Sequence, residues 1–341
     1  MTSILRTVLL LLLWLYITLF LGWWGLQLWF GDTIWWLGLL NSFVPLLFVP
    51  LLVLIPLAPV VRHPLYQSGL LIPLGYFLLV YGPLFLPKVP PPHRTDPAPF
   101  SILTFNMWSG SSEATTLDVV RVEGLPDIVA LQETNYRIHQ LIRNELGAEY
   151  PYQFYENTLN GRGISTLSRF PLESIRTEIL IDLNCRVFRV TVTATQRFLL
   201  YNCHPQSSNL LAFLGDGRPM NDQISETFLV RNLLSKAILA DITMRGEPAV
   251  VVGDFNSTDQ SEAYAILNGP LRDAHREAGW GWGHTFPAYG GGFHKIPILP
   301  RLVRIDMVRH TTDFVALSSH VSPLHGESDH LPVIAVLAWR Q

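Results

Sequence analysis

The sequence predicts two parts of different character, an α-helical membrane region of about three spans followed by a layered α/β domain. Three observations carry this prediction. Residues 1–87 hold only three formal charges, Arg6, Asp32 and Arg62, so the excess that lifts the apolar fraction of the 341-residue chain to 49% is concentrated there. From residue 100 onward, short apolar stretches alternate with amphipathic stretches of helical period, as in strands and helices stacked in layers. Between them, residues 88–99 lie in the proline-rich stretch PKVPPPHRTDPAP, which predicts an extended, semi-rigid spacer. The expected organisation is therefore a transmembrane region at 1–87, a linker at 88–99 and a globular domain at 100–341.

The membrane region divides into residues 4–28, 34–61 and 65–86, each at or above the roughly 20 residues needed to cross a bilayer. Trp23, Trp24, Trp29, Trp35 and Trp36 gather where the first two runs meet, as indoles do at a membrane interface. Pro45, Pro50, Pro56 and Pro59 interrupt the second run, which predicts a bent or re-entrant segment. A cleaved signal peptide would be shorter and would not precede two more apolar runs. Arg6 and the Arg62–His63 pair mark cytoplasmic ends. Three crossings then make this a multi-pass protein of the cell membrane with its large domain extracytoplasmic. Lys88 and Arg94 fall on the outer side in this arrangement and count against it.

In the domain, FSILTFNMW (100–108) alternates as a strand carrying Asn106, and residues 113–123 predict a short helix. PDIVALQET (126–134) is a buried strand ending on Glu133. Residues 136–146 form an amphipathic helix with Ile138, Leu141, Ile142 and Leu146 on one face. GRGISTLSRFPL (161–172) predicts a strand closed by a turn. Residues 185–203 read as a hairpin turning at Ala194-Thr195-Gln196, which sets Cys185 and Cys203 nearly opposite each other. A cross-strand disulfide, suited to an oxidising compartment, and two small buried thiols both fit that placement. The hairpin runs into His204, and residues 224–242 follow as the longest helix.

VVVGDFN (250–256) is a strand delivering Asp254 and Asn256. Their spacing suits a turn in which both side chains fold onto their own backbone, or a pair of reactive groups at a sheet edge. RIDMVRH (304–310) gives a further strand with Asp306, and SDHLPVIAVLAW (328–339) sets Asp329 and His330 before a last one. The polar residues that stand out thus sit at strand ends, where layered α/β folds bind ligands.

LTFN, IVALQE, YNCHP, VVVGDFN, RIDMV and SDHLPV occur in this order. By them, residues 100–341 resemble the endonuclease/exonuclease/phosphatase family, metal-dependent phosphoesterases that include nucleases, inositol-phosphate phosphatases and sphingomyelinases. With its apolar N-terminal region the chain is similar to the family's membrane-anchored bacterial members of the teicoplanin-resistance type. The resemblance implies an α/β four-layered sandwich, two mixed β-sheets flanked by helices, with the site at one rim. It also implies hydrolysis of a phosphate ester around a divalent cation, Mg²⁺ with Mn²⁺ as the alternative, since hard cations take oxygen ligands. Glu133 is then the chief metal ligand, with Asn106 and Asp329 in support. Asp254 orients or deprotonates the attacking water, and Asn256 binds a phosphoryl oxygen without adding negative charge. His204 and His330 donate to the phosphate, and Asp306 keeps His330 oriented and cationic. Taken alone, a strand-end Glu, Asn or His is more often structural, and Asp329 could form a surface salt bridge. Some nuclease branches carry an acid where this chain has Trp108, which leaves one-metal and two-metal schemes both open.

The domain has 20 basic and 25 acidic residues, so no basic stripe of the kind that tracks nucleic-acid phosphates is expected. A domain tethered near a bilayer meets lipid phosphates, and the expected substrate is a membrane lipid or lipid-linked phosphate or pyrophosphate. An extracytoplasmic nuclease is the alternative enzyme, and no protein partner is expected. A non-catalytic receptor on the same fold has no need of all eight polar residues. The Gly- and Trp-rich segment at 279–300 is either one wall of the substrate cleft or a plain surface connection.

Overall fold

The computed structural model describes residues 3–108, 113–156, 163–208, 217–288 and 301–341. The chain divides into two compact units, Met1–Leu86 and Pro87–Gln341. In the first, α1 (Ser3–Phe30) and α2 (Trp35–Ser42) are followed by a 3₁₀ turn at Val44–Phe48, α3 (Leu51–Val61), α4 (Pro64–Val80) and a 3₁₀ turn at Gly82–Phe85. Ser3–Phe30 and Val44–Val61 are long and apolar enough to cross a membrane. Only 17% and 22% of these stretches is buried, so their apolar side chains face outward, the reverse of a soluble core helix. The third expected span forms a helix of only 17 residues, so two candidate spans stand where about three were expected. Its α-helix stops at Val80 and gives way to the 3₁₀ turn that carries Gly82-Pro83. Of the four prolines expected to interrupt the second run, Pro45 lies in the 3₁₀ turn and Pro50 caps α3, whereas Pro56 and Pro59 lie inside α3, which continues through them.

In the second unit, one sheet runs in the order β11-β12-β1-β2-β4-β3. Its strands are β1 (Phe100–Asn106), β2 (Ile128–Thr134), β3 (Tyr152–Tyr155), β4 (Gly163–Ser168), β11 (Phe314–Val321) and β12 (Val333–Trp339). The other runs β5-β6-β7-β8-β10-β9, from β5 (Leu172–Ile175), β6 (Cys185–Thr191), β7 (Arg197–Cys203), β8 (Ala249–Asp254), β9 (Arg272–Asp273) and β10 (Asp306–His310). Each has one parallel pair, β1 with β2 and β7 with β8, among antiparallel neighbours. Phe100, Ile102, Ile128 and Ala130 of the first sheet meet Phe198, Leu200, Val250 and Val252 of the second in one core. The opposite face of the first sheet packs on α5 (Glu113–Val122) and α6 (Tyr136–Leu146). That of the second packs on α7 (Glu178–Asp182), α8 (Met220–Arg245) and α9 (Glu262–Asn268), and α10 (Ala274–Ala278) follows β9. This is the four-layered sandwich that the resemblance implied.

The period of two explains the location of the site. On β1, β2, β7 and β8 the residues facing the opposite sheet are apolar at the amino end and polar at the carboxyl end. Thr104 and Asn106 continue Phe100 and Ile102, and Asn202 and His204 continue Phe198 and Leu200. Gln132 donates to Asn202 Oδ1 at 2.7 Å and to Thr104 Oγ1 at 3.1 Å, joining the sheets through fully buried amides. Antiparallel β10 brings its amino end to the same rim, with Asp306 opposite Asp254.

Candidate active site

Glu133 and the Asp254–Asn256 pair are set by irregularities at strand ends. The β2–β4 register shifts between Leu131 and Thr134, and Glu133 takes a left-handed φ of 54°. Strain of this kind, of order 1–3 kcal/mol, persists only where the surroundings fix it, and it gathers at functional sites. Asn256 (φ 50°) donates its backbone N–H to Asp254 Oδ1 at 2.8 Å, and its Nδ2 to Pro205 O at 3.0 Å and Asp254 Oδ2 at 3.3 Å. The turn and the site are thus one object, since the turn aims the Asp254 carboxylate. Gly253 has φ 140°, and a Cβ there would lie 1.9 Å from the Cys203 carbonyl oxygen. Gly253→Ala is expected to destabilise the protein by about 3 kcal/mol or more. A thermal melt within a degree or two of the parent would contradict this close approach.

Asp254 is the hub. Its Oδ2 accepts from Asn106 Nδ2 at 3.0 Å and lies 3.6 Å from both His204 Nε2 and His330 Nε2. Glu133 Oε1 accepts from the same Asn106 nitrogen at 3.2 Å and stands 3.5 Å from His204 Nε2. Asn106 Oδ1 takes the Trp108 N–H at 3.0 Å, so the group it turns to the two acids is a donor. His330 Nδ1 is 2.9 Å from Asp306 Oδ2, and its Nε2 is 4.0 Å from Asp329 Oδ1. All eight residues singled out in the sequence therefore meet at one rim, joined by these contacts.

The sequence reading missed three residues that hold this arrangement. Ser328 Oγ donates to Asn106 O at 2.7 Å and accepts the His330 N–H at 3.0 Å, tying β1 to the approach to β12. Thr285 Oγ1 accepts the N–H groups of Ile305 and Asp306 at 3.2 and 3.3 Å. The Phe286 ring lies 4.9 Å from the His330 ring. Thr285 and Phe286 belong to the 279–300 segment, so its described part does line the site. Residues 289–300 lie outside the described residues.

Burial pulls the His330 pKa down, but Asp306 and Asp254 beside it and the hydrogen bond to Asp306 raise it further, to about 10. Asp306 and Asp329 are raised above the usual carboxylate range by burial first. Asp254 adds to the rise of Asp306, and Glu133 and Asp254 to that of Asp329, each against the lowering effect of His330. Four acids gather here about two imidazoles, an excess of buried negative charge that suits a cation. Ligand atoms of Asp254, Asp306 and His330, all buried, lie within 4.8 Å of one another, but a cationic His330 has no lone pair to give a metal, which leaves a cation to the carboxylates.

The fold and the rim define a layered α/β domain with an acid-rich site built around an Asp–His pair. The chain belongs to the Endonuclease/Exonuclease/phosphatase family, whose sequence profile matches residues 103–330. Solved structures of the same fold include a family member from Bacteroides thetaiotaomicron, 15% identical over 72% of this chain and 99% of that one, with a TM-score of 0.53. A mannosyl-6-phosphatase from the same organism is 16% identical over 70% and 100%, at 0.52. Sphingomyelinase C from Streptomyces griseocarneus is 17% identical over 70% and 99%, at 0.51. No curated protein matches the chain in sequence.

Proposed function

We propose that this protein is a membrane-anchored, divalent-metal-dependent phosphoesterase acting on a lipid or lipid-linked phosphate. The observation that carries this reading is the convergence of Glu133, Asp254 and the Asp306–His330 pair at one rim. In it, Glu133 and Asp329 would hold the cation, with Asn106, which bridges Glu133 and Asp254, in support. Mg²⁺, or Mn²⁺, would neutralise phosphoryl oxygens and polarise the ester when bound. Asp254 orients or deprotonates the attacking water, its Oδ2 accepting from Asn106 and Asn256 and standing 3.6 Å from Nε2 of His204 and of His330. His330, held cationic by Asp306, donates to the phosphate, and His204 and Asn256 complete the set of donors.

The outward-facing apolar helices and the net acidic domain favour a lipid phosphate over a polynucleotide. Among proteins of the same fold, one is named a sphingomyelinase, for a lipid, and another a mannosyl-6-phosphatase, for a sugar phosphate. We place the domain outside the cell. Pro64–Val80 and Gly82–Phe85 together would supply a third crossing, and the Cys185–Cys203 disulfide suits an oxidising compartment. The purified full chain, with Mg²⁺ or Mn²⁺, is expected to release phosphate or headgroup from polyprenyl pyrophosphate or sphingomyelin and to leave plasmid intact. Chelation by EDTA should abolish turnover, and re-addition of metal should restore it. Cleavage of plasmid alone would establish the nuclease instead, and activity indifferent to EDTA would remove the metal from the scheme.

A further inference from the structure

His204 Nε2 stands 3.5 Å from Glu133 and 3.6 Å from Asp254, and its Nδ1 is buried without a hydrogen-bond partner among the described residues. Apart from those two contacts, its placement comes from the backbone, and that backbone is clamped. Asn184 accepts the His204 N–H on its carbonyl at 2.8 Å and returns a bond from Nδ2 to the His204 carbonyl at 2.7 Å. Asn184 does so from a left-handed φ of 56°, which Asn tolerates better than most residues. The next residue, Cys185, is paired in register with Cys203 and bonded to it, and both are fully buried. Cys203 is also the register partner of Gly253, the residue before Asp254. Asn184 and Cys185, at the entrance to β6, thus grip His204 and Cys203, at the exit of β7, beside Asp254.

We propose that Asn184 and the Cys185–Cys203 disulfide are positioning elements for His204, fixing its imidazole against Glu133 and Asp254 during turnover. Their tie is covalent on one side and doubly hydrogen-bonded on the other, stronger than β6–β7 pairing alone requires. Displacement of a group near the chemistry by about 1 Å can cost on the order of a hundredfold in rate.

This inference rests on the phosphoesterase reading, and the test separates the two. Asn184→Gly keeps the left-handed backbone and removes only the amide. Cys185→Ala with Cys203→Ala removes the bridge. In the full chain each is expected to lower kcat roughly tenfold or more with KM within about twofold. In a His204→Ala background the same changes should cost nothing further, because the group they position is gone. Equal losses in both backgrounds, or no loss from Asn184→Gly, would overturn the proposal. A second readout needs no turnover: hydrogen–deuterium exchange at the imidazole Cε1 of His204, followed by mass spectrometry with His310 as internal reference. The exchange rate should shift at His204 in both variants and stay unchanged at His310. An unchanged rate at His204 would overturn the clamp even in a protein that cleaves no phosphoester, and that second result would sink only the function.

Discussion

Asp254→Asn is expected to lower kcat by about 10³-fold or more while leaving the melting temperature within a few degrees of the parent. The two effects separate because of what surrounds this side chain. One oxygen, Oδ2, is shared by Asn106, Asn256, His204 and His330. An amide of the same shape can keep part of that packing, but it cannot take a proton from water. It also removes a negative charge from a buried group of acids, which relieves repulsion and offsets the lost hydrogen bonds. Ala at the same position would confuse the two, since it leaves the donors of Asn106 and Asn256 facing nothing. Steady-state kinetics on the best substrate of the panel, alongside a thermal melt, decides the matter. A loss below about tenfold would mean that Asp254 orients the site without carrying the proton.

The part of this site legible in the sequence is the part that follows from strand periodicity. Asn106, His204 and Asp254 each close an apolar run, and a period of two places alternate residues on one face of a strand whatever the partner strand is. Glu133 closes one too, but it is out of phase with Ile128 and Ala130, and the irregularity between Leu131 and Thr134 turns it to the rim. The hairpin at 185–203 was legible for the same reason, and its turn midway between the cysteines fixed their register before any contact was known. Ser328, Thr285 and Asn184 were not legible. Each is a small polar residue of a type found in any loop, and its meaning lies in a remote partner, 222 positions away for Ser328 and Asn106. The strands missed were the short edge strands β3, β5 and β9, of four, four and two residues. The eight-residue β11 was missed as well, and its register slips between Ala316 and Ser318. Edge strands lack the double burial that writes a continuous apolar run, and a bulge breaks the alternation where it would be read. In the first unit, composition revealed the apolar runs but not helix length. Pro64–Val80 holds Pro73 in its interior and yet gives way to a 3₁₀ turn at Gly82–Phe85, so counting prolines does not find its end.

Asp306→Asn should shift the alkaline limb of the pH–rate profile downward by about 1–3 units, the usual effect of an opposite charge at contact distance. In the parent, burial favours neutral His330, but Asp306 and Asp254 outweigh it and hold the pKa near 10. The imidazole is therefore cationic throughout the neutral range, and activity that needs this cation is flat there and falls as pH rises towards 10. Removing the charge of Asp306 leaves burial acting against Asp254 and Asp329 alone, so the proton leaves at lower pH and the limb moves into the range where the parent is flat. The acid limb behaves in the opposite sense. Asp306 and Asp329 are both raised by burial, so they take up protons at higher pH than exposed carboxylates do, and the parent should lose activity on acidification correspondingly early. Asp329→Asn should move that acid limb and shift the alkaline one far less than Asp306→Asn does, since Asp329 is the least of the acids that hold His330 protonated. Two limbs that respond to different acids would assign the cation to the Asp306–His330 pair and the acid-sensitive step to the cation-holding side of the site. A profile in which Asp306→Asn lowers the rate equally at every pH would show instead that Asp306 orients the ring of His330 without setting its charge.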